Sequence, residues 1–208
     1  MMKVKICGIT NSEDALAAAE FGADAVGFVF YERSPRFITP EKAGEIVRAM
    51  PPFLTAVGVF VNEHPSRMQE IIRVSGVNMV QLHGDEPQEM CDMWPRVIKA
   101  FRVRDFTALD MLKRYRAAAY LLDAYTEDTL GGTGQIFNWD IAADARQFGK
   151  VILAGGLTPE NVERAVRVAH PYGVDVSTGV ERDKGIKDHR KMKVFIERAR
   201  GSALRAIG

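Results

Sequence analysis

The chain is short of cysteine. The two it has among 208 residues, Cys7 and Cys91, form neither a CxxC pair nor a disulfide framework. Histidine is scarce as well: four residues, scattered and without an HExxH run, so the spacing of a zinc site is missing. Net charge is nearly absent. A balance of +1, with no basic arm and no long run of like charges, gives no case for nucleic acid or an acidic surface as partner. Long apolar runs are missing too, and stretches such as Ala23 to Tyr31 are far too short to cross a bilayer. Met1-Met2-Lys3 leads straight into a strand, which leaves no room for a signal peptide, and the cytoplasm is the expected location. The dinucleotide-binding fingerprint is also lacking, because Gly132-Thr133-Gly134 stands well after its strand and has no third glycine.

What is present is ordinary in amount and regular in order. Hydrophobic residues make up 47% and charged residues 26%, the composition of a globular domain. Lys3 to Ile6 alternates polar and apolar, Cys7 ends that strand, and Gly8 lets the backbone turn tightly. Thr10 or Asn11 can cap the helix that follows, which runs to Phe21 and is closed by Gly22. Asp24 to Phe30 is a nearly continuous apolar run, as a strand buried on both faces requires. Thr39-Pro40-Glu41 opens a second helix that ends before Pro51-Pro52. The unit then repeats. Strands are predicted at 55–61, 78–82, 96–100, 118–123, 150–154 and 173–177. Helices are predicted at 65–75, 87–94, 106–116, from the end of a Gly-rich loop to Phe148, from Thr158-Pro159-Glu160 onward, and at 191–200. About eight strand–helix units, spaced by roughly twenty to thirty residues, predict a single-domain (β/α)8 TIM barrel over 1–208 rather than an open doubly wound sheet.

Barrels of this kind place their chemistry at the C-terminal ends of the strands. Cys7 ends the first strand, His83 follows the fourth and Asp123 ends the sixth. Gly155-Gly156 follows the seventh, and Ser177-Thr178-Gly179 closes the eighth. Glycines and small hydroxyls at the last two strand ends expose backbone N–H groups that suit a phosphate. Cys7 reads either as a small buried hydrophobe or, beside such N–H groups, as a thiol driven toward thiolate. Asp123 after Tyr120-Leu121-Leu122 costs desolvation energy, which raises a carboxyl pKa and suits a proton donor. One acid and one base across a barrel mouth describe an isomerase that moves protons. Arg36, in the loop after the second strand, has a planar fork for a substrate carboxylate, though it and Arg33 equally suit a solvated loop. His83 is a candidate substrate contact or a core-edge histidine bonded to backbone, and Cys91 near Trp94 reads as packing.

Taken together these motifs carry a resemblance. Lys5-Ile6-Cys7-Gly8-Ile9-Thr10, Asp24 to Phe30, Ser34-Pro35-Arg36, Val59-Phe60-Val61-Asn62 and Gln81-Leu82-His83-Gly84 are similar to the phosphoribosylanthranilate isomerase family. So are Leu122-Asp123, Gly131 to Gly134, Leu153 to Leu157, Asp175 to Glu181 and Gly185 to Asp188. The likeness covers essentially the whole chain in order. It implies a cofactor-free Amadori rearrangement in tryptophan biosynthesis, acting on a small phosphoribosyl substrate, by a monomer or homodimer. On this resemblance Asp123 is the general acid, Cys7 the general base and Arg36 the anchor of the anthranilate carboxylate. The phosphate lies on Gly155, Gly156, Ser177, Thr178 and Gly179, and the loop 124–137 folds over the site. Two departures stand out: Thr178 occupies the place of a second serine, and no proline precedes Gly185. A related barrel isomerase of histidine biosynthesis, or a dual-substrate enzyme, resembles this pattern but has an aspartate at the position of Cys7. A non-catalytic phosphosugar-binding barrel would need neither Cys7 and Asp123 nor Arg36.

Overall fold

The alternation that begins at Lys3 is the seed of a closed barrel. The computed structural model describes residues 1–124 and 139–205. Eight strands pair in chain order: β1 Lys3–Cys7, β2 Ala25–Val29, β3 Thr55–Phe60, β4 Met79–Leu82, β5 Val97–Val103, β6 Ala119–Ala124, β7 Val151–Ala154 and β8 Gly173–Val176. Every pair is parallel, and β8 returns to β1 through Lys3↔Gly173 and Lys5↔Asp175, which closes the ring. Helices α1 Ser12–Glu20, α2 Pro40–Ala49, α3 Pro65–Ser75, α4 Gln88–Asp92, α5 Ala108–Leu112, α6 Trp139–Ala145, α7 Val162–Ala169 and α8 His189–Arg205 follow the strands in turn. Among the described residues no helix is long and apolar enough to cross a membrane.

Strand side chains alternate between two apolar layers. One set, including Ile6, Val26, Phe28, Phe60, Leu82, Leu122 and Leu153, packs outward beneath the helices. The other set fills the barrel interior: Val57, Met79, Ile98, Ala100, Ala119, Leu121, Ile152 and Ala154, with Ala25 against them. The β1–β8 sector of that interior is different, because its inward positions include Lys5, Cys7 and Asp175, all three buried.

Helix starts follow their sequence signals. Asn11 caps α1 by accepting from the Asp14 N–H at 2.8 Å, and Thr39 caps α2 ahead of Pro40. Gly76 closes α3 in the left-handed region at φ 71°. Three expectations shift. Helices α4 and α5 are five residues each, shorter than 87–94 and 106–116 suggest. Helix α7 is regular only from Val162; Thr158 to Asn161 form the turn that leads into it, the Thr158 carbonyl accepting from the Asn161 and Val162 N–H groups and Asn161 Oδ1 accepting from the Thr158 N–H at 2.8 Å. Strand β5 continues to Val103, which brings Arg102 into register with Asp123. A hairpin absent from the sequence reading, β9 Glu181–Asp183 with β10 Ile186–Lys187, follows the eighth strand. The Gly-rich loop expected to cover the site, including Gly131 to Gly134, lies outside the described residues.

Candidate active site

At the C-terminal end of the barrel a cavity of about 670 Å³ is lined by Cys7, His83, Arg102, Asp123, Asp175 and the strand ends from Ala154 to Thr158 and Val176 to Gly179. It gathers most of the residues that the sequence singled out. The β7 and β8 turns meet as one unit there. A Cβ on Gly179 would stand 1.9 Å from the Leu157 carbonyl oxygen, so only glycine allows the two backbones to touch. Gly155 and Gly156 take φ values of 78° and 63°, the region glycine enters without strain. Asn161 holds that turn from below, its Nδ2 donating to the Gly156 carbonyl at 2.9 Å. A short 3-10 turn, Thr178–Val180, follows β8. Backbone N–H groups at such turns are suited to an anion.

Asp123 is not the desolvated carboxyl that its apolar strand suggests. Its side chain is 33% exposed at the mouth, and Oδ2 lies 3.1 Å from His83 Nε2. Gln81 Nε2 lies 2.9 Å from His83 Nδ1. With the Gln81 amide donating to Nδ1, the imidazole hydrogen falls on Nε2 and is given to Asp123. His83 is therefore bonded to the carboxylate and not to backbone, and it fixes how Asp123 presents its other oxygen to the cavity.

Cys7 is 9% exposed. The expected drive toward thiolate is not found: burial pushes the thiol above its ordinary value, opposed by the Lys5 ammonium beside it. Burial also works against Lys5, yet Asp175 and Cys7 hold it above the ordinary lysine value. Lys5 Nζ donates to Asp175 Oδ2 at 2.9 Å. Cys91 is buried on α4, its thiol pushed up to about 11 by burial, in keeping with a packing role.

Arg36 reaches the mouth from the loop after β2, but half of its fork is already filled. Nε donates to Glu181 Oε1 at 2.7 Å and Nη2 to Oε2 at 2.6 Å. Nη2 also donates to Thr178 Oγ1 at 3.1 Å, so the threonine hydroxyl has a use that its backbone alone would not supply. The Nη1 edge is what remains for a ligand carboxylate. Glu181 also accepts from Lys187 Nζ at 3.0 Å. Burial alone would raise the Glu181 carboxyl, but Arg36 and Lys187 hold it below its usual range. Sequence reasoning passed over Glu181, Lys187, Lys5, Asp175 and Arg102 as participants. Only inward alternation on β1 and β8 could have flagged Lys5 and Asp175. Nothing local marks Glu181, whose partners are distant in the chain. Among the described residues no three His, Cys, Asp or Glu side chains converge as a metal site would need.

Fold and mouth together define the class, a single-domain (β/α)8-barrel enzyme with its polar machinery at the C-terminal strand ends. Residues 4–198 match the family model described as N-(5'phosphoribosyl)anthranilate (PRA) isomerase, and the chain belongs to that family. It is 56% identical over 202 residues to the N-(5'-phosphoribosyl)anthranilate isomerase of Geobacter sulfurreducens, covering 97% of this chain and 100% of the relative. The crystal structure of phosphoribosyl anthranilate isomerase from Thermotoga maritima superposes with a TM-score of 0.88 at 46% identity, over 97% of this chain and 100% of that one. A phosphoribosyl anthranilate isomerase in complex with reduced 1-(o-carboxyphenylamino)-1-deoxyribulose 5-phosphate matches at TM-score 0.85 and 44% identity, again over 97% and 100%.

Proposed function

We propose that the chain converts N-(5'-phosphoribosyl)anthranilate into 1-(2-carboxyphenylamino)-1-deoxyribulose 5-phosphate, with Asp123 as general acid and Cys7 as general base. The observation that carries this reading is the placement of Cys7 and Asp123 on one cavity that also holds the paired β7 and β8 turns. In its protonated form, with Oδ2 held by the His83 Nε2–H, Asp123 gives the proton on its other oxygen to the ribose ring oxygen and is left as the carboxylate. The bond from C1' to that oxygen breaks, and a protonated Schiff base forms. Cys7 as thiolate removes the C2' proton, giving an enolamine. Protonation at C1' and loss of the C2' hydroxyl proton complete the ketone, so product and substrate are isomers and no oxidant is needed.

The phosphate rests on the backbone N–H groups of Gly155, Gly156, Ser177, Thr178 and Gly179, and the anthranilate carboxylate on the free edge of Arg36. His83 touches the substrate through Asp123 or beside it. We assign the activity to tryptophan biosynthesis in the cytoplasm and take residues 1–208 as one barrel domain. A homodimer is favoured over a monomer. Phe53, on the loop between α2 and β3, is 98% exposed. It borders a cavity of about 280 Å³ at the opposite end of the barrel, lined by Val57, Met79, Ile98 and Ile152 and by the charged Lys3, Lys5, Asp24 and Arg96. An exposed aromatic knob beside a hollow with apolar side chains at Val57, Met79, Ile98 and Ile152 puts both halves of a two-fold contact on one surface.

The reaction is tested by following the fluorescence of freshly generated phosphoribosylanthranilate with wild type, Cys7→Ala and Asp123→Asn. Rapid decay in wild type, lost in both variants, is expected. Decay no faster than the spontaneous rate in folded wild type removes the assignment, and near-normal kcat in either variant removes that residue from its role.

A further inference from the structure

Lys5 has no part in the reaction as written, yet the fold spends a buried charge on it. Its side chain is 6% exposed, that of Asp175 is 8% exposed, and the pair lies inside a barrel whose other inward side chains are mostly Val, Met, Ile, Leu and Ala, with Gln81 the buried polar one on β4. An apolar pair of similar volume would fill that space without the desolvation cost, so packing does not account for the ions.

The geometry directs the ammonium to the thiol. Lys5 and Cys7 are two apart on β1 and therefore share the inward face. Register sets Lys5 beside Asp175 on β8, and Cys7 beside Gly27 on β2. Gly27 leaves the room in which the two groups meet. A Cβ built there would stand 2.7 Å from Cys7 Sγ and 3.2 Å from Lys5 Nζ. Asp175 fixes the ammonium through Oδ2, while its Oδ1 is buried without a partner. The other charges that face the thiol are Lys187 on β10 and Arg36 on the loop after β2.

We propose that Lys5 is the positioning residue for Cys7, its ammonium, held by Asp175, being the counter-ion beside which the thiolate forms. Lys5 keeps its protons throughout. It pairs with Asp175 alone when Cys7 is a thiol, and with both anions when Cys7 has released its proton and stands ready to take one from carbon. This rests on Cys7 being the base.

The test reads the thiol directly. The rate at which iodoacetamide labels Cys7, located by peptide mass, is measured against pH in wild type, Lys5→Gln, Asp175→Asn and Lys5→Met/Asp175→Leu. The double variant removes both ions together and leaves no unpaired buried charge, so it keeps the test open even if Lys5→Gln fails to fold. The labelling midpoint is expected to rise in Lys5→Gln and, by less, in the double variant. Labelling at neutral pH then falls about tenfold per unit. In Asp175→Asn the midpoint is expected to fall, because an anion is gone and the cation stays. The acid limb of kcat/KM should move with the midpoint in the Lys5 variants. An unchanged midpoint in the folded double variant, or shifts of one sign in Lys5→Gln and Asp175→Asn, overturns the proposal. Turnover that survives Cys7→Ala refutes the base assignment instead, and leaves the labelling result to stand on the Lys5–Cys7 contact alone.

Discussion

Glu181 is the residue that holds Arg36 at the mouth of the barrel, and Glu181→Gln isolates its charge. The side chain is 5% exposed and serves two cations, Arg36 in a two-point grip and Lys187, whose side chain is fully buried. Removing one partner from a buried pair costs about 3–5 kcal/mol. The amide oxygen can still accept one hydrogen bond, so about 3 kcal/mol is expected, or roughly 6–12 °C in Tm for a chain of this size. The pH dependence has a definite sign. Glu181 is held below its usual range, so its contribution is complete above an unfolded carboxyl pKa of about 4.3 and is lost as pH falls through the lower folded value. Lys187 runs the other way: burial draws it below 10.5, with Glu181 opposing. Between its folded value and 10.5 the unfolded chain holds more protons, so stability rises with pH. With Glu181 gone the folded value drops further and that window opens lower. Urea midpoints taken from pH 6 to pH 10 should therefore show the variant regaining stability relative to wild type as pH rises, by up to about 1.4 kcal/mol per unit. In the isomerase assay KM should rise several-fold with a smaller change in kcat, since Arg36 loses the clamp that aims it. A loss below about 1 kcal/mol, with the pH slope of wild type, would refute the reasoning.

Two glycines at the β7 and β8 turns should respond differently to the same methyl group. Gly179→Ala drives a Cβ to 1.9 Å from a backbone oxygen and is expected to cost about 3 kcal/mol or more in urea denaturation. Gly156→Ala meets nothing within 4 Å and pays only for its left-handed backbone at φ 63°, about 1–2 kcal/mol; equal losses would show that the β7 and β8 turns are not locked together. For the assembly, wild type should sediment as a dimer and Phe53→Asp as a monomer, and a wild type that sediments as a monomer at micromolar concentration ends the homodimer reading.

The fold was legible because its signals are local. A (β/α)8 barrel repeats one unit, and each unit of this chain carries its own marks, such as the apolar run 24–30 and the Thr39-Pro40 cap. The misses also have local causes. Thr158-Pro159-Glu160 does lead into a helix, but its first turn is irregular and the regular helix begins only at Val162. The hairpin of Glu181–Asp183 with Ile186–Lys187 is too short to show a period.

The candidate site was legible only in part, for a reason that lies in how barrels are closed. Strand-end position is enough to pick out Cys7, His83, Asp123 and the glycine turns, because position along one strand is a one-dimensional property. What each group meets is set by the neighbouring strand's register, and β1 meets β8 across about 170 residues of chain (|i−j| = 170 for Lys5 and Asp175). Arg36 and Glu181 are likewise separated by 145 positions. The sequence therefore names Arg36 as a free fork and Cys7 as a thiol near N–H groups, whereas the closed ring gives the fork a carboxylate and the thiol an ammonium. Charge balance in this mouth is a property of ring closure. Any change that slips the β1–β8 register by two residues would keep both hydrophobic layers facing as they do, yet part Lys5 from Asp175. The electrostatic order of the site is thus set by register, and not by the face on which each residue lies.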